Sequence, residues 1–145
     1  MLKGISSILS PQLLKVLCEM GHGDEIVIGD ANFPCESIAK ENQIIRADGL
    51  GAVELLEAIL PLFPLDKYEE DYFILMKTEK GDPENPDIWK DLIKAMDKNE
   101  KDCHATYMER FEYYERAKKA FAVIASGEKA QYANVILKKG VVKEQ

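Results

Sequence analysis

The chain is predicted to be an α/β protein: residues 1–145 as a single compact domain, with a central, mostly parallel sheet flanked by helices. Three observations carry that reading. Apolar positions at helical spacing alternate along the chain with short runs rich in β-branched residues, the order of signals that builds layered α/β folds. A length of 145 residues with 46% hydrophobic side chains is enough for one sizeable core. No Pro-, Gly- or Ser-rich linker splits the sequence into two parts.

Taken in order, Ser10-Pro11 joins an N-cap to a first-turn proline, and Leu13, Leu14, Leu17 and Met20 keep helical spacing until Gly21 offers a stop. His22 then falls just beyond that helix. Glu25-Ile26-Val27-Ile28-Gly29 reads as a short buried strand, which delivers Asp30 at its carboxyl end, where ligands of α/β sheets usually sit. Ala31-Asn32-Phe33-Pro34 is a turn, Ile44-Ile45-Arg46 a second strand, and Gly49 to Leu60 a helix stopped by Pro61. Tyr72 to Met76 is the third strand. Asp82 to Pro86 is a loop opening a helix whose stripe is Ile88, Leu92, Ile93 and Met96. Met108 to Lys119 reads as helix, with Glu112 and Arg116 four residues apart. Phe121 to Ala125 and Asn134 to Leu137 complete the strands, although their order in the sheet does not follow from such a pattern.

Charge and cysteine usage narrow the function. With 19 Lys and Arg against 26 Asp and Glu, the net charge of −7 leaves no basic cluster to displace the counterions of a nucleic acid, so a small neutral ligand is expected and a nucleic-acid partner is not. Cys18, Cys35 and Cys103 stand apart without the C-x-x-C spacing of zinc or redox sites. An odd number of lone thiols suits a reducing compartment, and the expectation is a cytoplasmic protein. No apolar run approaches the roughly 20 residues of a membrane span, so no membrane partner is expected.

Among candidate chemical residues, His22 stands out in Met20-Gly21-His22-Gly23-Asp24. An imidazole titrates near neutral pH, and its glycine neighbours leave it uncovered. It reads as a general acid and base, or as a loop histidine tied to a carbonyl. Asp30 orients His22, holds a ligand hydroxyl, or caps the turn that follows. Asp24 and Glu25 read as solvated turn acids, Arg46 and Asp48 as a surface pair, and His104 as a solvated loop residue. Tyr107, Phe111, Tyr113 and Tyr114 form an aromatic group suited to core or subunit interface, and Arg110 within it is placed to hold oxygen ligands or stack on rings. Two histidines 82 positions apart, with no paired His or Cys, do not suggest a metal site. Gly21-x-Gly23 precedes a strand and lacks a third glycine, so it is no dinucleotide fingerprint. From these residues alone the reading is a sugar- or acid-binding α/β domain.

Longer motifs say more. Met1-Leu2-Lys3-Gly4-Ile5, Leu14-Lys15-Val16-Leu17, Gly21-His22-Gly23-Asp24-Glu25, Asp30-Ala31-Asn32-Phe33-Pro34 and Arg46-Ala47-Asp48-Gly49 together resemble the L-fucose mutarotase and ribose pyranase family. Arg110-Phe111, Tyr114-Glu115-Arg116-Ala117, Phe121-Ala122-Val123-Ile124, Tyr132-Ala133-Asn134 and Leu137-Lys138-Lys139-Gly140-Val141 continue the resemblance, and only about 68–107 aligns loosely. The family's ribose branch typically has Gly-His-Thr-Asp and Asp-Ala-Gly-Leu-Pro, so the motifs at 21–24 and 30–34 fall on the fucose side.

The resemblance implies the family's fold and an enzyme that interconverts the α and β anomers of L-fucose without a cofactor. It implies His22 as proton donor and Asp30, Arg110, Tyr132, Ala133 and Asn134 as the sugar-binding set, with Ala133 standing where relatives often have glycine. It also implies a cyclic homo-oligomer, decameric in bacterial relatives, with sites near subunit contacts. A D-ribose pyranase and a non-catalytic sugar-binding module are the alternatives.

Overall fold

The computed structural model describes residues 1–144, and all the strands it contains belong to one six-stranded mixed sheet. The helix α1 spans Pro11–Glu19, with Ser10 Oγ accepting from the Leu13 N–H at 3.1 Å, and its chain turns extended at Met20, one residue before the expected stop. β1 (Glu25–Gly29), α2 (Cys35–Ile38), β2 (Gln43–Ala47), α3 (Ala52–Ile59), β3 (Phe73–Met76) and α4 (Ile88–Asn99) follow, and a 3-10 turn at Leu60–Leu62 extends α3 over Pro61. The chain closes with β4 (Thr106–Met108), α5 (Arg110–Ala117), β5 (Ala122–Ser126) and β6 (Val135–Lys138).

Two elements depart from the sequence reading. Residues 106–108 pair in parallel with Ile74, Leu75 and Met76, so Met108 is strand, and α5 begins only at Arg110. Edge pairing decides here, because three residues carry too little periodicity to declare themselves. The single turn of α2 is equally short and equally unmarked.

The strand order is β2-β5-β1-β6-β3-β4. β2, β5 and β1 are parallel, as are β3 and β4, while β6 runs antiparallel to both β1 and β3. The mostly parallel expectation therefore holds, with β6 the one reversed strand. Its direction follows from its connection: residues 127–134 fall short of the dozen or more that a parallel crossover needs.

Both faces of the sheet are covered. Ile26 and Ile28 meet α1, α3 and α4 through Leu13, Leu55, Leu56, Ile59 and Leu92. Val27, Val123 and Ile136 point the other way, towards Phe33, Ile38, Tyr113 and Ala117. This two-sided burial explains why the strands read as continuous apolar runs rather than alternating ones. Each fully buried Leu or Ile adds about 1.5–3 kcal/mol of burial. The aromatic group around α5 splits: Tyr113 is wholly buried, its phenol pushed up by desolvation, while Phe111 is exposed and Tyr107 lies against Trp89 with ring centroids 5.1 Å apart.

One tight contact joins β5 to the start of α3. The Gly127 N–H donates to the Leu50 carbonyl at 2.8 Å, and a Cβ on Gly127 would come 1.9 Å from the Asp48 carbonyl oxygen.

Candidate functional site

The carboxyl ends of β1, β3 and β4 and the amino end of β6 meet at one edge of the sheet, and there the chain gathers most of its predicted site. Asp30 follows β1 directly and is buried, with 4% of its surface exposed. Its Oδ1 accepts from the Asn32 N–H at 2.9 Å, while its own N–H donates to Asn134 Oδ1 at 2.8 Å. Desolvation raises the Asp30 carboxyl above the ordinary value, against the lowering effect of the Asn32, Phe33, Ala133 and Tyr132 backbone N–H groups. Ala133 thus acts through its backbone, its methyl being packed in the core.

Tyr132 adopts φ +62, a left-handed conformation uncommon for a non-glycine residue. Its carbonyl accepts from Trp89 Nε1 at 2.9 Å. Its phenol accepts from the Glu79 N–H at 3.1 Å and donates to the Asp82 carboxylate, which raises the phenol's pKa. Arg110 opens α5 with its guanidinium 4.6 Å from the Phe111 ring centroid and 5.7 Å from that of Tyr114. Arg110 Nε lies 3.2 Å from Glu79 Oε1 but is not aligned for a hydrogen bond. Asp30, Asn32, Glu79, Arg110, Tyr132 and Asn134 line a cleft of about 150 Å³.

His22 is elsewhere. It precedes β1, at the end where Gly23 donates to the Lys139 carbonyl beyond β6. The four residue steps of β1 alone, at ~3.3 Å each, put ~13 Å of strand between the two ends. Asp30 therefore does not orient His22 within one chain, as one reading of the sequence had it. The carboxylate beside His22 is Asp66, with Nε2 to Oδ1 at 3.2 Å, and the Tyr68 ring centroid lies 5.7 Å from the imidazole. Asp66 is 2% exposed, whereas the His22 side chain is about half exposed.

Other expectations are refined. Glu25 is no solvated acid: Arg116 grips it with Nε to Oε1 at 2.9 Å and the second amine to Oε2 at 2.7 Å. His104 is tied down, its N–H donating to the Tyr72 hydroxyl at 2.9 Å and its ring meeting that of Tyr72 edge to face. Arg46 and Asp48 do form a surface pair at 2.5 Å, which lowers the Asp48 carboxyl. A larger concavity, about 600 Å³, lies between β1 and α5, but the guanidinium and carboxylate at its centre, Arg116 and Glu25, already satisfy each other. Chemistry rather than size singles out the smaller cleft. Sequence reading missed Asp66, Glu79 and Asp82, which sit in charged loops where an acid that faces a distant partner has no local signature.

The buried carboxyl of Asp30 makes a pH-dependent prediction. Because its folded pKa is raised, the native state holds the proton to higher pH than the unfolded chain, and stability falls as pH rises between the two values. Asp30→Asn is expected to raise the Tm at pH 8 relative to the parent, with the gain vanishing near pH 3, where both states are protonated. Melting curves at the two pH values check this, and the same variant is expected to lose sugar affinity.

Comparison with known proteins agrees with the fold and the motifs. Residues 3–142 match the RbsD / FucU transport protein family. A Mus musculus protein named fucose mutarotase is 53% identical over 147 residues, spanning 97% of this chain and 95% of its own length. The crystal structure of a fucose mutarotase from Streptococcus pneumoniae in complex with L-fucose superimposes with a TM-score of 0.93 at 48% identity, covering 98% of this chain and 100% of that one. Bacillus subtilis RbsD complexed with D-ribose aligns over 99% of this chain and 100% of its own, with a TM-score of 0.75 and 26% identity. With the family match running almost end to end and the sheet shared with both sugar complexes, the chain belongs to the RbsD / FucU family.

Proposed function

We propose that this protein is an L-fucose mutarotase, which opens and recloses the sugar ring to interconvert its α and β anomers. The observation that carries the reading is the cleft in which a buried carboxylate, a guanidinium, a phenol and an amide converge, a donor and acceptor set suited to a neutral polyol. The sugar comes from the relatives: identity is 48% to the mutarotase solved with L-fucose and 26% to the protein solved with D-ribose.

The chemistry needs one proton delivered to the ring oxygen while another leaves the anomeric hydroxyl. The C1–O5 bond then breaks as the aldehyde carbonyl forms, and reclosure on either face returns both protons. Nothing is consumed, so no cofactor is called for. His22 is the group suited to proton delivery, Asp30 and Asn134 hold sugar hydroxyls, Arg110 holds oxygens at the ring edge, and Tyr132 completes the wall. Since His22 lies at the far end of β1 from that cleft, a complete site takes His22 from one subunit and the cleft from its neighbour. The small cleft volume suits a half-site of this kind. Tyr68, exposed beside His22, supplies apolar surface for the contact. On this reading the assembly is a homo-oligomer, a decamer being what the family resemblance implies. Its free thiols at Cys18, Cys35 and Cys103 suit the cytoplasm.

Saturation-transfer NMR on the anomeric protons tests the reading. Catalytic amounts of protein are expected to transfer saturation rapidly between α- and β-L-fucose, and more slowly with D-ribose. Faster exchange on ribose would make the protein a pyranase, and none on either sugar would leave a binding module.

A further inference from the structure

His22 has a partner that the sequence did not announce. Asp66 sits in the loop between the 3-10 turn and β3, held by its N–H donating to the Lys138 carbonyl at 3.0 Å. It is almost fully buried, and its Oδ1 has two neighbours, His22 Nε2 and the Tyr68 N–H, each at 3.2 Å. A buried carboxylate is costly without a partner, so this one is fixed in place by backbone at both ends and turned towards the imidazole. The imidazole is otherwise open to solvent over about half its surface.

We infer that Asp66 is the positioning residue for His22: it takes the Nε2–H, fixes the neutral ring as the Nε2–H tautomer, and leaves Nδ1 as the nitrogen that exchanges protons with the sugar. The inference rests on the mutarotase reading of the previous subsection. A carboxylate that holds one imidazole nitrogen sets which of the two is free to work and stabilises the imidazolium when it forms. The contact is within ion-pair distance but not in line for a hydrogen bond, and such pairs tighten when substrate is bound. Other charges around the ring are already engaged. Lys139 Nζ donates to the Leu17 and Met20 carbonyls, Asp24 accepts from the Gly21 N–H, Lys67 pairs with Glu100, and Lys143 lies over the Tyr68 ring. None of them faces His22 as Asp66 does.

Asp66→Asn keeps the shape and removes the charge. In the oligomeric enzyme, the variant is expected to hold L-fucose as tightly as the parent while kcat for anomer exchange drops about tenfold or more, as expected of a ring set in the wrong tautomer. Long-range ¹H–¹⁵N NMR at pH 8 is expected to show His22 as the Nε2–H form in the parent and a shift towards Nδ1–H in the variant. A merely structural Asp66 would not move that pattern. Unchanged kcat in a folded variant, or a parent His22 carrying its proton on Nδ1, overturns the inference. Should the variant not fold, the parent's nitrogen shifts alone decide. A parent without anomerase activity on any sugar would reject the mutarotase reading, and the nitrogen shifts would still report whether Asp66 sets the tautomer.

Discussion

His22→Gln is expected to reduce L-fucose anomer exchange by about 10²–10⁴-fold, the usual share of one acid–base group, while leaving fucose affinity and the fold intact. Glutamine keeps a donor for the buried Asp66 carboxylate but cannot deliver a proton near neutral pH. Arg110→Ala is expected to be nearly inactive for a different reason, loss of sugar binding in the cleft. The two defects lie at opposite ends of the sheet, so mixing the variants discriminates between a site within one chain and a site shared by two. After dissociation and reassembly of an equimolar mixture, about a quarter of the contacts carry an intact His22 facing an intact cleft, because each contact draws one surface from each of two neighbours. Activity recovering towards that fraction establishes the shared site; a mixture no better than its parts would require both residues to act in one chain, against the separation seen along β1.

Gly127→Ala is expected to be the most damaging single-methyl change. The added Cβ would stand 1.9 Å from the Asp48 carbonyl oxygen and 2.9 Å from its carbon, backbone atoms that cannot swing aside. Overpacking of this sort costs about 3 kcal/mol or more, equivalent to a Tm lowered by roughly 6–12 °C for a chain of this size. The damage should reach the site. The Glu128 carbonyl accepts from the Ala31 N–H at 2.8 Å, next to Asp30, and Glu128 Oε1 accepts from the Ala52 N–H at the start of α3 at 3.1 Å. Weaker fucose binding should therefore accompany the lower Tm. Gly49→Ala is the control, since a Cβ there meets nothing within 4 Å and is expected to change stability by less than about 0.5 kcal/mol. Thermal melts and fucose titrations on the two variants check both statements.

What the sequence made legible was whatever repeats on a short scale. Glu25 to Gly29 could be read as a strand because its branched apolar residues are consecutive, and α1 because Ser10 and Pro11 mark its start. β4 and α2 could not, being a few residues long and held by pairing and packing rather than by their own pattern. The site residues divide along the same line. Asp30, Arg110, Tyr132 and Asn134 converge because β1 and β4 end, and β6 begins, at one edge of the sheet, a result of strand order that no spacing along the chain encodes. The separation of His22 from them is likewise topological. A carboxylate eight positions along the chain looks near, yet a strand carries it to the opposite edge, while Asp66, 44 positions away, arrives beside the imidazole.

The reversed course of β6 has a consequence for assembly. Together with β1 it forms a strut with the candidate cleft at one end and the His22–Asp66 pair at the other. On the proposed shared site, two such molecules complete one another either antiparallel about a twofold axis, each end meeting the other's opposite end, or head to tail in a row. An open row of them would always end in one idle cleft and one idle histidine. Only a closed assembly, a twofold pair or a ring, would put every cleft and histidine to use, so on that proposal closure itself is a condition for full activity per subunit.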